Sequence, residues 1–175
     1  LEARLDLLEG RPVAALEPDR QGIARVRRLA GLYERTAGGG ALDADPGVLL
    51  AAAYPDRVGR RRGETGRYLL CNGRGAAFAG ADSLSSQEFL VVADLDAGER
   101  EARIHLAAAV QRSALLDTLR PEIRKVRRIE WDARSEAIVA REEVRYRQLV
   151  LSEEIIQRPD PDLSVPAMLE GIRSM

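Results

Sequence analysis

The residues best suited to do chemistry are arginines that cluster between positions 53 and 75. Guanidinium groups bind phosphate through forked hydrogen bonds, and exposed aromatic rings stack on bases. If the segment after Pro55 is helical, Arg57, Arg60 and Arg61 share a face, because residues three and four apart are neighbours on a helix. The cluster predicts a site for single-stranded nucleic acid. Its candidate residues are Arg57, Arg60, Arg61, Arg62, Arg67, Tyr68, Asn72 and Arg74.

The same residues also have a purely structural interpretation. Arg57 would then pair with a nearby acid such as Asp56, and Tyr68 would pack inside a barrel. The remaining arginines would lie on a solvated surface. From the residues alone, both interpretations stay open.

A second basic region lies between positions 123 and 147, close to Trp131. Its cations are Arg124, Lys125, Arg127, Arg128, Arg141, Arg145 and Arg147. Glutamates interleave with them, so cross-strand salt bridges are one expectation. A nucleic-acid or domain-docking face is the alternative.

Residues suited to catalysis or metal binding are scarce. His105 is the only histidine and Cys71 the only cysteine, whereas acyl transfer needs a nucleophile, a base and an orienting carboxylate. One of each also falls short of the three or four ligands of a zinc site. The glycine clusters lack the lysine and the context of a phosphate-binding loop. We therefore predict no catalytic residue, no metal site and no cofactor within the chain.

Composition limits the possible partners and location. The 175 residues carry a formal charge of -1, and Lys125 is the only lysine among 27 cations. A near-neutral balance argues against a strongly basic nucleic-acid module. No apolar run approaches the roughly 18 residues that span a membrane, and no signal peptide is recognisable. We expect a cytoplasmic protein, excised from a longer polypeptide that begins before Leu1.

Helices are predicted over positions 1–36, where apolar residues recur every three or four positions. Asp19 is suited to cap the second helix of this region. Asp45 followed by Pro46 predicts the start of a third helix, since Asp favours the N-cap and Pro the first helical position. The glycines at 38–40 predict a hinge or loop.

The sequence then changes from helix to strand. Pro55 either kinks the third helix or starts a new turn that runs to Arg62. Residues 68–71 and 76–78 read as two strands joined by a tight turn at 72–73, because Asn-Gly favours hairpins.

Two further strands complete a predicted barrel. Residues 89–95 are too apolar to alternate, so we expect a central strand covered on both faces. A turn at 97–99 leads to an edge strand at 102–108. Four or five short strands and one helix suggest a small antiparallel barrel of the OB type.

The rest of the chain predicts an antiparallel ribbon of residues 123–131 and 137–152, then a helix that starts near Ser164. The fold class is therefore α+β. We divide the chain into a helical segment (1–45), an OB-like domain with its leading helix (46–112) and a C-terminal extension (113–175).

Several segments, taken in order, resemble the C-terminal, non-motor region of bacterial DEAH-box ATP-dependent helicases of the HrpB type. The segments are Leu-Leu-Ala-Ala-Ala-Tyr-Pro-Asp-Arg-Val (49–58), Gly-Arg-Tyr-Leu-Leu-Cys-Asn-Gly-Arg-Gly-Ala (66–76), Phe-Leu-Val-Val-Ala-Asp-Leu-Asp (89–96), Arg-Ile-His-Leu-Ala-Ala (103–108), Val-Arg-Arg-Ile-Glu-Trp-Asp (126–132) and Leu-Val-Leu-Ser-Glu (149–153).

This resemblance implies a parent enzyme whose two motor domains bind ATP and Mg²⁺ outside this chain. It implies that residues 1–45 end a helical bundle and that the chain itself does not hydrolyse ATP. The expected function is an accessory module that guides single-stranded nucleic acid, expected to be RNA, beside the motor domains. The alternative is a scaffold domain that docks on the motor domains, regulates them and receives protein partners.

Overall fold

The structure is a computed structural model that describes residues 1–13, 17–38, 44–96 and 101–174. The helices are α1 (Glu2–Leu8), α2 (Arg20–Ala37), α3 (Pro46–Ala53), α4 (Arg112–Thr118) and α5 (Pro161–Ser174). The strands are β1 (Val58–Arg61), β2 (Arg67–Leu70), β3 (Gly75–Ala77), β4 (Phe89–Leu95), β5 (Ala102–Ala109), β6 (Ile123–Asp132), β7 (Ala137–Tyr146) and β8 (Leu149–Ile155). The predicted α+β class is confirmed.

Side-chain caps start α2 and α3, as predicted. Asp19 accepts hydrogen bonds from two backbone N–H groups at the start of α2, both at 3.0 Å. Asp45 does the same for α3, where it accepts from the N–H of Gly47 at 2.7 Å. Gly47 also lets α3 approach β5 closely, because a Cβ there would lie 2.0 Å from the carbonyl oxygen of Ala109.

Two predicted loops fall partly or wholly outside the described residues. Gly38 ends α2 in a left-handed conformation, with φ of 83°, which glycine adopts at little cost. Gly39 and Gly40 of the predicted hinge are not among the described residues. The predicted turn at 97–99 also lies outside them.

The predicted helical turn from Pro55 to Arg62 is wrong. Only residues 55–57 form a single 3₁₀ turn, and the chain then enters β1. β1 pairs with both β2 and β4, so its backbone groups are satisfied by the next strand along the chain and by the more distant β4. Gly59 fits this position because a Cβ would lie 3.1 Å from a methyl group of Leu70.

The five strands β1–β5 close into a barrel with the order β1-β2-β3-β5-β4. The predicted hairpin is present, because β2 pairs antiparallel with β3. The prediction that residues 102–108 form an edge strand is wrong, since β5 lies between β3 and β4 and its pairing with β3 is parallel. Closure removes the edges that a meander would leave open.

β4 separates two apolar cores, which confirms the prediction that this strand is covered on both faces. Leu90 and Val92 point into the barrel with Tyr68. Phe89 and Val91 point outward into a second core. Alternation along the strand thus places successive side chains in different clusters.

The predicted two-stranded ribbon is instead a three-stranded sheet with the order β6-β7-β8. Its second arm turns at Arg147, where φ is 49°, and returns as β8. Three residues of this sheet, Tyr146, Leu149 and Leu151, pack in the second core, together with Phe89 and Val91 of β4. The Tyr146 hydroxyl also donates a hydrogen bond to the carbonyl of Pro55 at 2.8 Å. The sheet is therefore attached to the barrel by shared apolar packing.

The final helix α5 begins at Pro161, three residues earlier than predicted, and Pro166 lies inside it. α5 lies against β6 through Gly171, where a Cβ would come 2.2 Å from Cγ of Trp131. Only a residue without a side chain permits this approach.

Candidate nucleic-acid interface

The structure does not bring the eight candidate residues into one groove. Because β1 replaces the expected helix, the helical spacing of Arg57, Arg60 and Arg61 no longer applies. Successive side chains in a strand point to opposite sides, so Arg60 and Arg61 diverge. This correction removes the geometric basis on which the three arginines were grouped.

Arg57 and Arg60 are engaged in holding the fold together. Arg57 Nη1 donates to the carbonyl of Ala93 at 2.8 Å, and its guanidinium lies 5.0 Å from the ring centre of Tyr54. Arg60 Nη1 donates to the carbonyl of Val150, which joins β1 to β8. Both guanidinium groups therefore already serve as structural connectors.

Arg62 and Arg67 converge on one carboxylate, Glu101. Arg62 Nη2 lies 3.2 Å from Oε1, and Arg67 Nη2 lies 3.0 Å from Oε2. The hydrogen bond from Arg67 is the main reason why the pKa of Glu101 is lowered, and it also raises the pKa of Arg67. The single negative charge of Glu101 therefore offsets part of the positive charge of these two arginines.

Tyr68 is fully buried in the barrel and cannot stack on a base in this structure. Its hydroxyl reaches the carbonyls of Leu84 at 2.6 Å and Gln87 at 3.0 Å. Phe78 meets the Tyr68 ring edge to face, with centres 6.0 Å apart. Burial raises the pKa of Tyr68. The structural interpretation of this residue is therefore the correct one.

Arg61, Asn72 and Arg74 are the exposed remainder of the candidate set. Within the described part of the chain, the side chain of Arg61 makes no hydrogen bond or ion pair. Asn72 Oδ1 accepts from the N–H of Arg74 at 3.0 Å, which stabilises the tight turn between β2 and β3. Asn72 and Arg74 line a small surface depression of about 240 Å³ together with Arg57.

Salt bridges occupy much of the second basic region. On one face of the sheet, Glu142 lies 3.2 Å from Arg127 and 3.5 Å from Lys125. Hydrogen bonding from Arg127 is the main cause of the lowered pKa of Glu142. The expectation of cross-strand pairing is confirmed on this face.

The residues considered for catalysis are dispersed. His105 is exposed, and its Nε2 lies 3.4 Å from Asp96 Oδ2. Cys71 is buried beside Pro55, and burial raises the pKa of its thiol. Among the described residues, no group of three or more His, Cys, Asp or Glu is placed to hold a metal ion. None of the described helices has the length and apolar character needed to cross a membrane.

Two exposed apolar helix surfaces were not predicted from the sequence. Along α2, Val26, Leu29, Leu32 and Tyr33 expose between 43% and 68% of their surface. Along α5 a second exposed stripe consists of Val165, Met168, Leu169 and Ile172. The three- and four-residue periodicity predicted the helices, but it could not say whether these faces are covered.

Comparison with known proteins identifies a similar sequence and similar structures. No family model matches the chain. The chain is 36% identical over 127 residues to the ATP-dependent RNA helicase HrpB of Escherichia coli (strain K12), a match that covers 71% of this chain and 16% of that protein. Crystal structures of E. coli HrpB, described as a DExH-box NTPase and as a DEAH/RHA helicase, match 98% of the chain with TM-scores of 0.64 and 0.59. Sequence identities are 29% and 27%, and the chain spans 22% and 23% of those structures.

Proposed function

Because the chain is homologous to the C-terminal region of HrpB-type helicases, we propose that it is an accessory module that docks on the motor domains of such a helicase. ATP and Mg²⁺ would bind in those domains, and the module would have no catalytic role of its own. The module would position the motor domains and regulate them. The observation that carries this proposal is the exposed apolar stripe of α2.

α2 has little contact with the rest of the described chain. Its neighbour is α1, and Arg27 of α2 donates through Nε to the carbonyl of Leu8 at 2.7 Å. Leu29 and Tyr33 lie one helical turn apart, on a face of α2 different from the one that carries Arg27. Their surfaces are 43% and 68% exposed. A contiguous apolar face of this kind marks an interaction surface.

The charge around the stripe specifies the partner further. α2 carries five arginines and one glutamate, namely Arg20, Arg25, Arg27, Arg28, Arg35 and Glu34. A basic amphipathic helix fits an apolar groove rimmed by carboxylates. We propose that the motor-side surface has this character and that α2 completes a helical bundle there.

The test uses E. coli HrpB from which the segment matched by this chain has been removed. Isothermal titration of the chain into that protein should give a saturable complex. Leu29→Glu should weaken binding about tenfold or more, since it would bury an unpaired charge. Gln21→Glu, an equal charge change at an exposed site on the same helix, is the matched control. If Leu29→Glu binds as well as the unmodified chain, docking through this stripe is wrong.

Guidance of single-stranded RNA is the second candidate function. Arg61 favours it, because this exposed guanidinium has no hydrogen bond or ion pair within the described residues. The ion pairing of Arg62 and Arg67, together with the burial of Tyr68, leaves the barrel with fewer groups for this role than the sequence indicated. Loss of binding of a labelled oligouridylate on Arg61→Gln would support guidance by the barrel.

A further inference from the structure

The open face of the three-stranded sheet carries an unusual arrangement of like charges. In the register of β6 and β7, Arg124 lies directly opposite Arg145, and Arg128 lies directly opposite Arg141. Like charges at directly opposed positions destabilise a sheet. Two such pairs on one face therefore need a compensating anion.

The carboxylates on this face supply only part of that compensation. Glu143 lies between the two arginine pairs and is nearly buried, with Oε2 at 3.6 Å from Nε of both Arg128 and Arg145. Arg141 pairs with Glu153 at 3.0 Å. With Glu130, on the same face of β6, four arginines thus face three carboxylates, which leaves a formal charge of one positive unit on this face.

Hydrogen-bonding capacity on the same face is also unfilled. Nε of Arg141 is a buried atom without an acceptor, whereas Nε of Arg145 and Oε2 of Glu143 are buried atoms that face each other at 3.6 Å, just beyond hydrogen-bonding distance. Arg124 has no side-chain hydrogen bond or ion pair within the described part of the chain.

The shape of the surface admits a ligand. A depression of about 440 Å³ is lined by Arg124, Val126, Arg145 and Arg147. Arg147 is already held by Glu122 at 3.1 Å and Arg145 shares Glu143, so among the described residues Arg124 is the cation of this depression without a carboxylate partner. Glu130 lies on the same face of β6, between the arginines and the turn that joins β6 to β7.

We propose that the opposed arginine pairs bind two separate, non-adjacent phosphates of one single-stranded nucleic acid. Arg124 and Arg128 are four residues apart on β6, about 13 Å at the rise of a strand. One phosphate cannot bridge that distance, whereas a polyanion reaches both pairs. The proposal rests on the RNA-guiding function given above as the second candidate, and it moves the contact surface from the barrel to the sheet.

The predicted interaction is modest, strongly salt-dependent and independent of sequence. Two phosphate contacts, one at each arginine pair, correspond to a slope of about -1.4 in a plot of log affinity against log salt for single strands. Affinity should then fall about sevenfold between 50 and 200 mM salt. Phosphate contacts carry no sequence information, so an oligouridylate and an oligothymidylate should bind alike.

The experiment measures fluorescence anisotropy of a labelled oligouridylate titrated with the whole chain. Arg124→Gln/Arg128→Gln should weaken binding about tenfold and flatten the salt slope. Lys125→Gln/Arg127→Gln is the matched control, because it removes the same charge from the opposite face of the same strand. The emission of Trp131 reports whether each variant keeps its fold.

Three results would overturn the proposal. An equal loss in the Lys125/Arg127 control would mean that net charge alone drives binding. A loss caused by Arg61→Gln/Arg74→Gln but not by the β6 variant would place RNA on the barrel, so that the guiding function stands and this site fails. Absence of binding even at low salt would remove both the site and the guiding function.

Discussion

The variant Tyr68→Phe distinguishes the two interpretations of Tyr68, as a residue that stacks on a base or as a residue of the barrel core. The Tyr68 hydroxyl is fully buried and reaches two carbonyls of the loop before β4, at 2.6 and 3.0 Å. Its removal takes a donor from both carbonyls, although the Leu84 carbonyl keeps the N–H of Gln87 at 3.0 Å, and this loss costs about 1–3 kcal/mol. For a chain of this size, a loss of about 2 kcal/mol lowers Tm by roughly 4–8 °C.

The assay is urea unfolding followed by circular dichroism, with RNA binding measured in parallel. Tyr68→Phe should lower the unfolding midpoint and leave affinity for an oligouridylate unchanged. Tyr33→Phe is the matched control, since this tyrosine is 68% exposed and such a change should alter stability by less than about 0.5 kcal/mol. A stable Tyr68→Phe variant with weakened RNA binding would refute the assignment of Tyr68 to the core.

Three further predictions follow from local contacts. The pKa of Glu101 is lowered in the folded state, so its ion pairs contribute stability above the unfolded pKa, and this is lost as pH falls through the folded pKa. Glu101→Gln should therefore cost less than about 1 kcal/mol at pH 7, and this cost should disappear once the pH is below the folded pKa, with Glu64→Gln as an exposed control. Gly171→Ala should overpack Trp131, which should cost about 1–3 kcal/mol of unfolding free energy and shift the emission of this single tryptophan. The control is Gly80→Ala, which should be neutral because there is open space around its Cβ. Cys71 is buried and its thiol pKa is raised, so it should react with Ellman's reagent only after urea unfolding; rapid reaction of the folded chain would contradict its place in the core.

Local signals in the sequence predicted local structure well. Asp19 and Asp45 cap their helices because capping depends only on residues two or three positions away. The Asn-Gly turn after β2 likewise depends on its own backbone, and Gly73 has a φ of 87° there. Predictions of this kind need no knowledge of distant partners.

The errors arose where distant residues decide the outcome. β1 contains two arginines, and only its pairing with β2 and β4 makes it a strand. Arg62 is paired through Glu101, a residue 39 positions away, and Arg60 through Val150, 90 positions away. The sequence shows where the arginines are, but not which of them already bind an acceptor far away in the chain. An arginine that is already paired in this way is part of the fold and is less available to bind a ligand.

Hydrogen–deuterium exchange of the chain, alone and with E. coli HrpB that lacks the matching segment, tests the docking proposal most directly. We expect amides of α2 to become protected in the mixture, because docking would cover its exposed apolar stripe with the motor domains. Amides of β6 should exchange unchanged unless RNA is added. Protection of the barrel or the sheet with α2 unchanged would contradict docking through α2.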